Sequence, residues 1–182
     1  MTHMIAEDKQ AAAKFNKKVC ILGDFSVGKT SLVRRFIEGI FSEKYLSTIG
    51  VKVDRKAITV PYKGETAHLT MIVWDLAGSE KFTQARANYL RGAAGAILVC
   101  DLTRSATLAS LSGYITDLRQ LSPTAKLLLA ANKFDLVEGQ QIAFPQVEAA
   151  ANRFNLPFFL TSAKTGAAVE LMFQRLGQML LE

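Results

Sequence analysis

Apolar residues fall along this chain in two rhythms. Four short runs are apolar throughout: Val19–Leu22, Ala96–Cys100, Leu127–Ala131 and Phe158–Leu160. Runs of that length read as strands buried on both faces. Each is followed by a loop and then by apolar residues at helical spacing. The stripes are Leu32, Val33, Phe36, Ile37 and Ile40; Leu108, Leu111, Ile115 and Leu118; Val147, Ala150, Ala151 and Phe154; and Val169, Met172, Phe173, Leu176 and Leu180. Pro145 suits the first turn of its helix. One segment departs from this alternation. Residues 51–60 and 66–75 are joined by "PYKGE", with Lys63–Gly64 as the turn, and the first run partly alternates. That pattern predicts a hairpin with an antiparallel edge strand. The order β–α–hairpin–α–β–α–β–α–β–α gives an α/β fold: one six-stranded, mostly parallel sheet with one antiparallel edge strand and helices on both faces. Ligands of such sheets bind at the carboxyl ends of the strands.

Composition changes this picture little. The length of 182 residues suits one domain with a full core. No apolar run approaches the roughly 18 residues of a membrane span. The N-terminus lacks the apolar stretch of a secretory signal. Residues 1–16 are expected to be a flexible extension, with 1–4, including His3–Met4, resembling a tag scar; 17–182 form the domain. Cys20 and Cys100 lie in apolar runs and read as buried, reduced thiols of a cytoplasmic protein. Two histidines far apart, His3 and His68, cannot build a metal cluster. The net charge of +6 comes without a patch of stacking aromatics, so a solvated basic face is expected and no nucleic-acid partner.

The chemistry sits where the strands end. "GDFSVGKT", Gly23–Thr30, matches G-x-x-x-x-G-K-[ST] between a predicted strand and a predicted helix. Its N–H groups and the helix N-terminus attract phosphate oxygens. Lys29 would reach the β- and γ-phosphates, and Thr30 would place a hydroxyl on Mg²⁺. "NKFD", Asn132–Asp135, follows the fifth strand. The Asp135 carboxylate can accept two hydrogen bonds from guanine, a pair of donors that adenine lacks. Asn132 would bridge base and phosphate loop, and the Lys133 stem would cover a face of the base. In "TSAK", Thr161–Lys164, Ala163 offers a backbone N–H and Ser162 a brace for Asp135. In "FSEKYLSTIG", Phe41–Gly50, Thr48 is a second candidate hydroxyl for Mg²⁺, Phe41 would pack on the base and Tyr45 would close over the phosphates. Asp75 would hold Mg²⁺ through a water, and Gly78 would offer its N–H to the γ-phosphate. Ser79 would then stand beside the attacking water.

With "GDFSVGKTS", "YLSTIG", "WDLAGSEKF", "NKFD" and "SAK" in this order, the chain resembles the Ras superfamily of small GTP-binding proteins over roughly residues 17–181, and most closely its Rab branch. The resemblance implies a P-loop G domain and a slow GTPase that switches between GTP and GDP with Mg²⁺. The nucleotide-binding set is then Gly23, Ser26, Val27, Gly28, Lys29, Thr30, Ser31, Phe41, Tyr45, Thr48, Gly78, Asn132, Lys133, Asp135, Ser162, Ala163 and Lys164. Lys29, Thr48, Gly78 and Ser79 are implied at the reaction itself; Thr30, Thr48 and Asp75 are implied at the metal. Effector, activator and exchange-factor proteins are expected at residues 41–53 and 76–91. Three departures stand out. Ser79 replaces the glutamine that orients water in the family. Phe25 fills a phosphate-loop position that is small in most members. The terminal "GQMLLE" has no cysteine for prenylation, so membrane association is not expected of the chain as it stands. A GTP-binding scaffold with essentially no hydrolysis is the alternative. A nucleotide kinase or ATPase is disfavoured by "NKFD".

Overall fold

The computed structural model describes residues 12–44, 47–78 and 84–182. Its strands are β1 (Lys14–Leu22), β2 (Val51–Tyr62), β3 (Glu65–Leu76), β4 (Gly95–Asp101), β5 (Lys126–Asn132) and β6 (Phe158–Leu160). Its helices are α1 (Lys29–Glu38), α2 (Gln84–Leu90), α3 (Ala106–Ala109), α4 (Leu111–Leu121), α5 (Phe144–Phe154) and α6 (Val169–Met179). The strands form one six-stranded sheet in the order β2-β3-β1-β4-β5-β6. Only β2–β3 is antiparallel. This is the expected fold.

The continuous apolar runs work as two-faced strands. Val19 and Ile21 of β1 enter one core cluster, Cys20 and Leu22 the other. Strand β4 divides likewise, Ile97 and Val99 against Ala96, Leu98 and Cys100. Successive side chains point to opposite faces, so a strand covered on both sides must be apolar at every position. Helices α1 and α6 cover the first face, where Phe36 and Phe173 stack with centroids 3.8 Å apart. Helices α4 and α5 cover the second through Leu111, Ile115, Leu118, Val147 and Ala151. Both cysteines are buried free thiols, and burial pushes each up to about 12. No helix among the described residues is long and apolar enough to cross a membrane.

Four boundaries differ from the sequence pattern. The division between residues 16 and 17 falls inside β1, because Lys14, Phe15 and Asn16 pair with His68, Leu69 and Thr70. The 12-residue β3 offers β1 that longer edge, and its outer half alternates buried Ala67 and Leu69 with polar residues. Residues 1–11, with the tag-like start, lie outside the described residues. Helix α1 stops at Glu38, where Gly39 turns left-handed (φ 72°) and donates its N–H to the Arg35 carbonyl. Ile40 therefore leaves the stripe and is 47% exposed. The Leu108–Leu118 stripe is split between α3 and α4 at Ser110, whose hydroxyl bonds Asp24 of the phosphate loop at 2.6 Å. The hairpin runs further than its apolar residues do, with Pro61 on the open edge of β2. Lys63 (φ 51°) and Gly64 (φ 83°) make the two-residue turn that antiparallel strands favour.

The strand order also locates the site. From β1 the chain moves to β3 on one side and then crosses to β4 on the other. The carboxyl ends of β1 and β4 therefore flank the reversal point, where loops diverge and leave a crevice.

Candidate functional site

The loop between β1 and α1 lies tightly on its neighbours. A Cβ at Gly23 would stand 2.2 Å from the Val99 carbonyl oxygen of β4, and one at Gly28 would stand 2.3 Å from Asn132 Nδ2. Only glycine permits those approaches. Lys29 opens α1 and is 6% exposed. Its ammonium donates to the carbonyls of Gly23 (2.8 Å) and Asp24 (2.7 Å), so the cation is held within the loop. Burial lowers its pKa to about 8, against the partial support of Asp75 and Asp24. A positive charge ringed by backbone at a helix N-terminus is a cradle for phosphate.

Next along α1, Thr30 gathers the predicted metal residues. Its hydroxyl donates to Asp75 Oδ2 at 2.5 Å and lies 2.8 Å from the Thr48 hydroxyl. Asp75, at the end of β3, has no exposure, and its Oδ1 has no hydrogen-bond partner among the described residues. Burial raises its pKa, while the Thr30 hydrogen bond and the Lys29 charge pull it back. An unpaired buried carboxylate oxygen is costly, and a cation beside it would remove that cost. The donors are hard oxygens with a single carboxylate. Among the described residues no cluster of three or more His, Cys, Asp or Glu could hold a metal. Such a corner fits Mg²⁺, which takes one or two carboxylates and completes its shell from phosphates and water. Gly78 closes this side. A Cβ there would sit 2.5 Å from the Asp24 carbonyl carbon and the Phe25 nitrogen, so no side chain fits between it and the phosphate loop. Ser79 and Tyr45 lie outside the described residues.

The far end is built from β5 and β6. Asn132, 1% exposed, donates Nδ2 to the Val27 carbonyl (3.0 Å) and accepts from the Thr161 hydroxyl (3.2 Å). It ties both strand ends to the phosphate loop. Ser162 donates its hydroxyl to Asp135 Oδ1 at 2.6 Å, as its bracing role requires. A cavity of about 870 Å³ joins the two ends, from Gly28 and Thr30 to Asp135 and Ala163. Ser26, Ser31, Phe41 and Lys164 also line it, and half-buried Phe41 packs on the core as well. Gly23 and Val27 contribute carbonyls to this framework, the Val27 side chain being buried. Arg35 of α1 donates Nε to the Ala163 carbonyl at 2.8 Å, fixing that turn from below.

One functional carboxylate was missed. Asp101 ends β4 and is fully buried. Its Oδ2 accepts from Lys133 Nζ (2.7 Å) and Arg104 Nε (2.9 Å); its Oδ1 accepts from the Thr103 N–H (2.9 Å) and hydroxyl (2.7 Å). Burial works to raise its pKa, but the bonds from Lys133, Thr103 and Arg104 outweigh it and leave the carboxyl below its ordinary value. Asp101 thus fixes the Lys133 head while its stem lines the cavity. The available signal was position: an acid at a strand's carboxyl end on the reversal point.

Comparison with known proteins agrees with this geometry. A sequence model of the Ras family matches residues 18–182. The chain is 36% identical over 166 residues to Ras-related protein RABD2a of Arabidopsis thaliana, covering 91% of this chain and 80% of that one. It is 37% identical over 165 residues to Ras-related protein Rab-4B of Homo sapiens, covering 90% and 76%. It is 35% identical over 157 residues to Ras-related protein Rab-4 of Dictyostelium discoideum, covering 86% and 75%. A phosphate loop, a hydroxyl–carboxylate corner and a braced acid on one cavity accord with those matches, and the chain belongs to the Ras family as a Rab-like small GTPase.

Proposed function

We propose that this protein is a guanine-nucleotide switch that binds GTP and GDP with Mg²⁺, hydrolyses GTP slowly and signals through residues 41–53 and 76–91 to an effector. The observation that carries the reading is the single cavity with a phosphate cradle at one end and Asp135 at the other. Lys29 supplies fixed positive charge to the β- and γ-phosphates. Thr30, Thr48 and Asp75 hold the cation, which supplies neutralisation of phosphate charge when bound. Asp135, held by Ser162, selects guanine. Thr48 and Gly78 belong to the two loops that the γ-phosphate would order. Activators and exchange factors would act on the same loops.

Slow hydrolysis follows from residue chemistry. A serine at position 79 is shorter than glutamine by two heavy atoms and lacks the paired amide donor and acceptor that orient water. Phe25 is 52% exposed and lines the cavity, where it would crowd an arginine brought by an activator. The same observation favours the second reading, a GTP-loaded scaffold with essentially no hydrolysis. Hydrogen exchange of residues 41–50 with GDP and with a non-hydrolysable GTP analogue tests the switch: greater protection with the analogue is expected, and equal protection contradicts it. Single-turnover GTP hydrolysis then separates slow enzyme from scaffold.

A further inference from the structure

The phosphate loop has a second set of holds, on the side away from the base. The Asp24 carboxylate accepts from the Ser110 hydroxyl at 2.6 Å and from the Tyr114 hydroxyl at 3.0 Å. The next carbonyl, that of Phe25, accepts from Arg104 Nη2 at 2.8 Å. Two consecutive loop residues are thus tied by three donors from the segment after β4. On their other side the backbone is in contact with Gly78. Tyr114 is 7% exposed, and burial lifts its hydroxyl to about 12, so it stays a donor at neutral pH. Its ring carries the Arg86 guanidinium of α2 at 4.2 Å, and Arg86 is itself 8% exposed and 4.0 Å from Asp117. One side chain therefore touches α2 with its face and the phosphate loop with its tip.

We propose that Tyr114 is a positioning residue that holds the phosphate loop in its nucleotide-gripping shape, and that Arg86 on its ring makes this grip sensitive to the position of α2. The proposal rests on the guanine-nucleotide reading above. The loop grips phosphate with N–H groups whose directions are set by its peptide planes. Fixing Asp24 fixes the plane leading into Phe25, and Arg104 fixes the one after it. A protein that draws α2 outward removes Arg86 from the ring and loosens the far end of the same connection. A purely structural Tyr114 would only fill the second core cluster, to which its ring also belongs.

Tyr114→Phe separates the two roles, because it keeps the ring with Arg86 over it and removes only the hydroxyl, through which the tip meets Asp24 and also Arg86. The assay is release of fluorescent GDP from the full chain in Mg²⁺, with GDP and GMP affinities measured alongside. Tyr114→Phe should speed GDP release about tenfold, the factor carried by one hydrogen bond to a charged group. It should weaken GDP and leave GMP unchanged, since GMP lacks the β-phosphate that the loop grips. In an Asp24→Ala background the same substitution should add nothing. Arg86→Met should speed release by a smaller factor, about threefold. Unchanged release from Tyr114→Phe, or equal weakening of GDP and GMP, overturns the proposal while the guanine-nucleotide reading stands. A wild-type chain that binds no guanine nucleotide overturns both.

Discussion

At the Asp135 end of the cavity, Asn132, Thr161 and Ser162 are bonded between strand ends; at the Thr30 end, one of three oxygen donors arrives on a loop. Asn132, Thr161 and Ser162 are at most 1% exposed, and bonds among β5, β6 and the phosphate loop hold them and Asp135. Thr48 stands on the connection between α1 and β2, beside Ile49 at 93% exposure, and meets Thr30 through one hydroxyl pair. On the proposed function, base choice would thus be part of the folded core, whereas the metal corner would be completed by a segment with little burial behind it. Low local burial is where conformational change is cheapest. A Rab-like switch needs that division: one end keeps the nucleotide while the other reports its phosphate count.

Breaking the base end should have the largest effect. The wild type should prefer GTP to ATP by about 10⁴-fold, because adenine leaves Asp135 unpaired. Asp135→Asn should transfer that preference to xanthosine triphosphate, measured by competition. Next, Asn132→Ala strips partners from the buried Val27 carbonyl and Thr161 hydroxyl and should cost about 2–3 kcal/mol in urea unfolding. Thr48→Ala removes one partly buried hydroxyl pair, should cost about 1 kcal/mol at most, and should leave GDP affinity nearly unchanged. It should abolish the extra protection that a GTP analogue gives residues 41–50. If the two substitutions cost the same stability, the contrast between the ends fails.

Acidity probes the phosphate cradle between them. Burial brings Lys29 down to about 8 in the free protein, and a bound phosphate holds it charged. Above pH 8 the free chain must take up a proton to bind. Affinity should therefore fall as pH rises, by about tenfold between pH 7 and pH 9, measured by calorimetry in buffers of different ionisation enthalpy. A flat profile would mean that the ammonium is not engaged. The smallest effect is expected at Ser79. Ser79→Ala should change single-turnover hydrolysis by less than about threefold, and Ser79→Gln should raise it, more clearly with Phe25→Gly. Loss of most activity in Ser79→Ala would make the serine catalytic.

How much of this was legible in the sequence follows from distance along the chain. The two-faced strands and the phosphate loop are local patterns, so composition and spacing reveal them. Asp135 and Thr48 were legible only through motifs whose order and context match. What stayed hidden is pairing between distant residues. Asp24 to Tyr114, Asp101 to Lys133 and Arg35 to Ala163 join positions whose proximity depends on the strand order. The break at Ser110 was hidden for the same reason: the apolar stripe continues through it, and the hydroxyl that departs does so toward the phosphate loop. The early end of α1 at Gly39 was readable from the glycine, but Ile40 continued the apolar spacing beyond it.

The central claim is that the cavity is a guanine-nucleotide site, and the most direct measurement is the nucleotide released when the freshly purified protein is denatured. The account predicts close to one guanine nucleotide per chain, retained in Mg²⁺ and lost when the metal is chelated. An adenine nucleotide in its place, or a chain that neither carries nor takes up GDP or GTP in Mg²⁺, would contradict it.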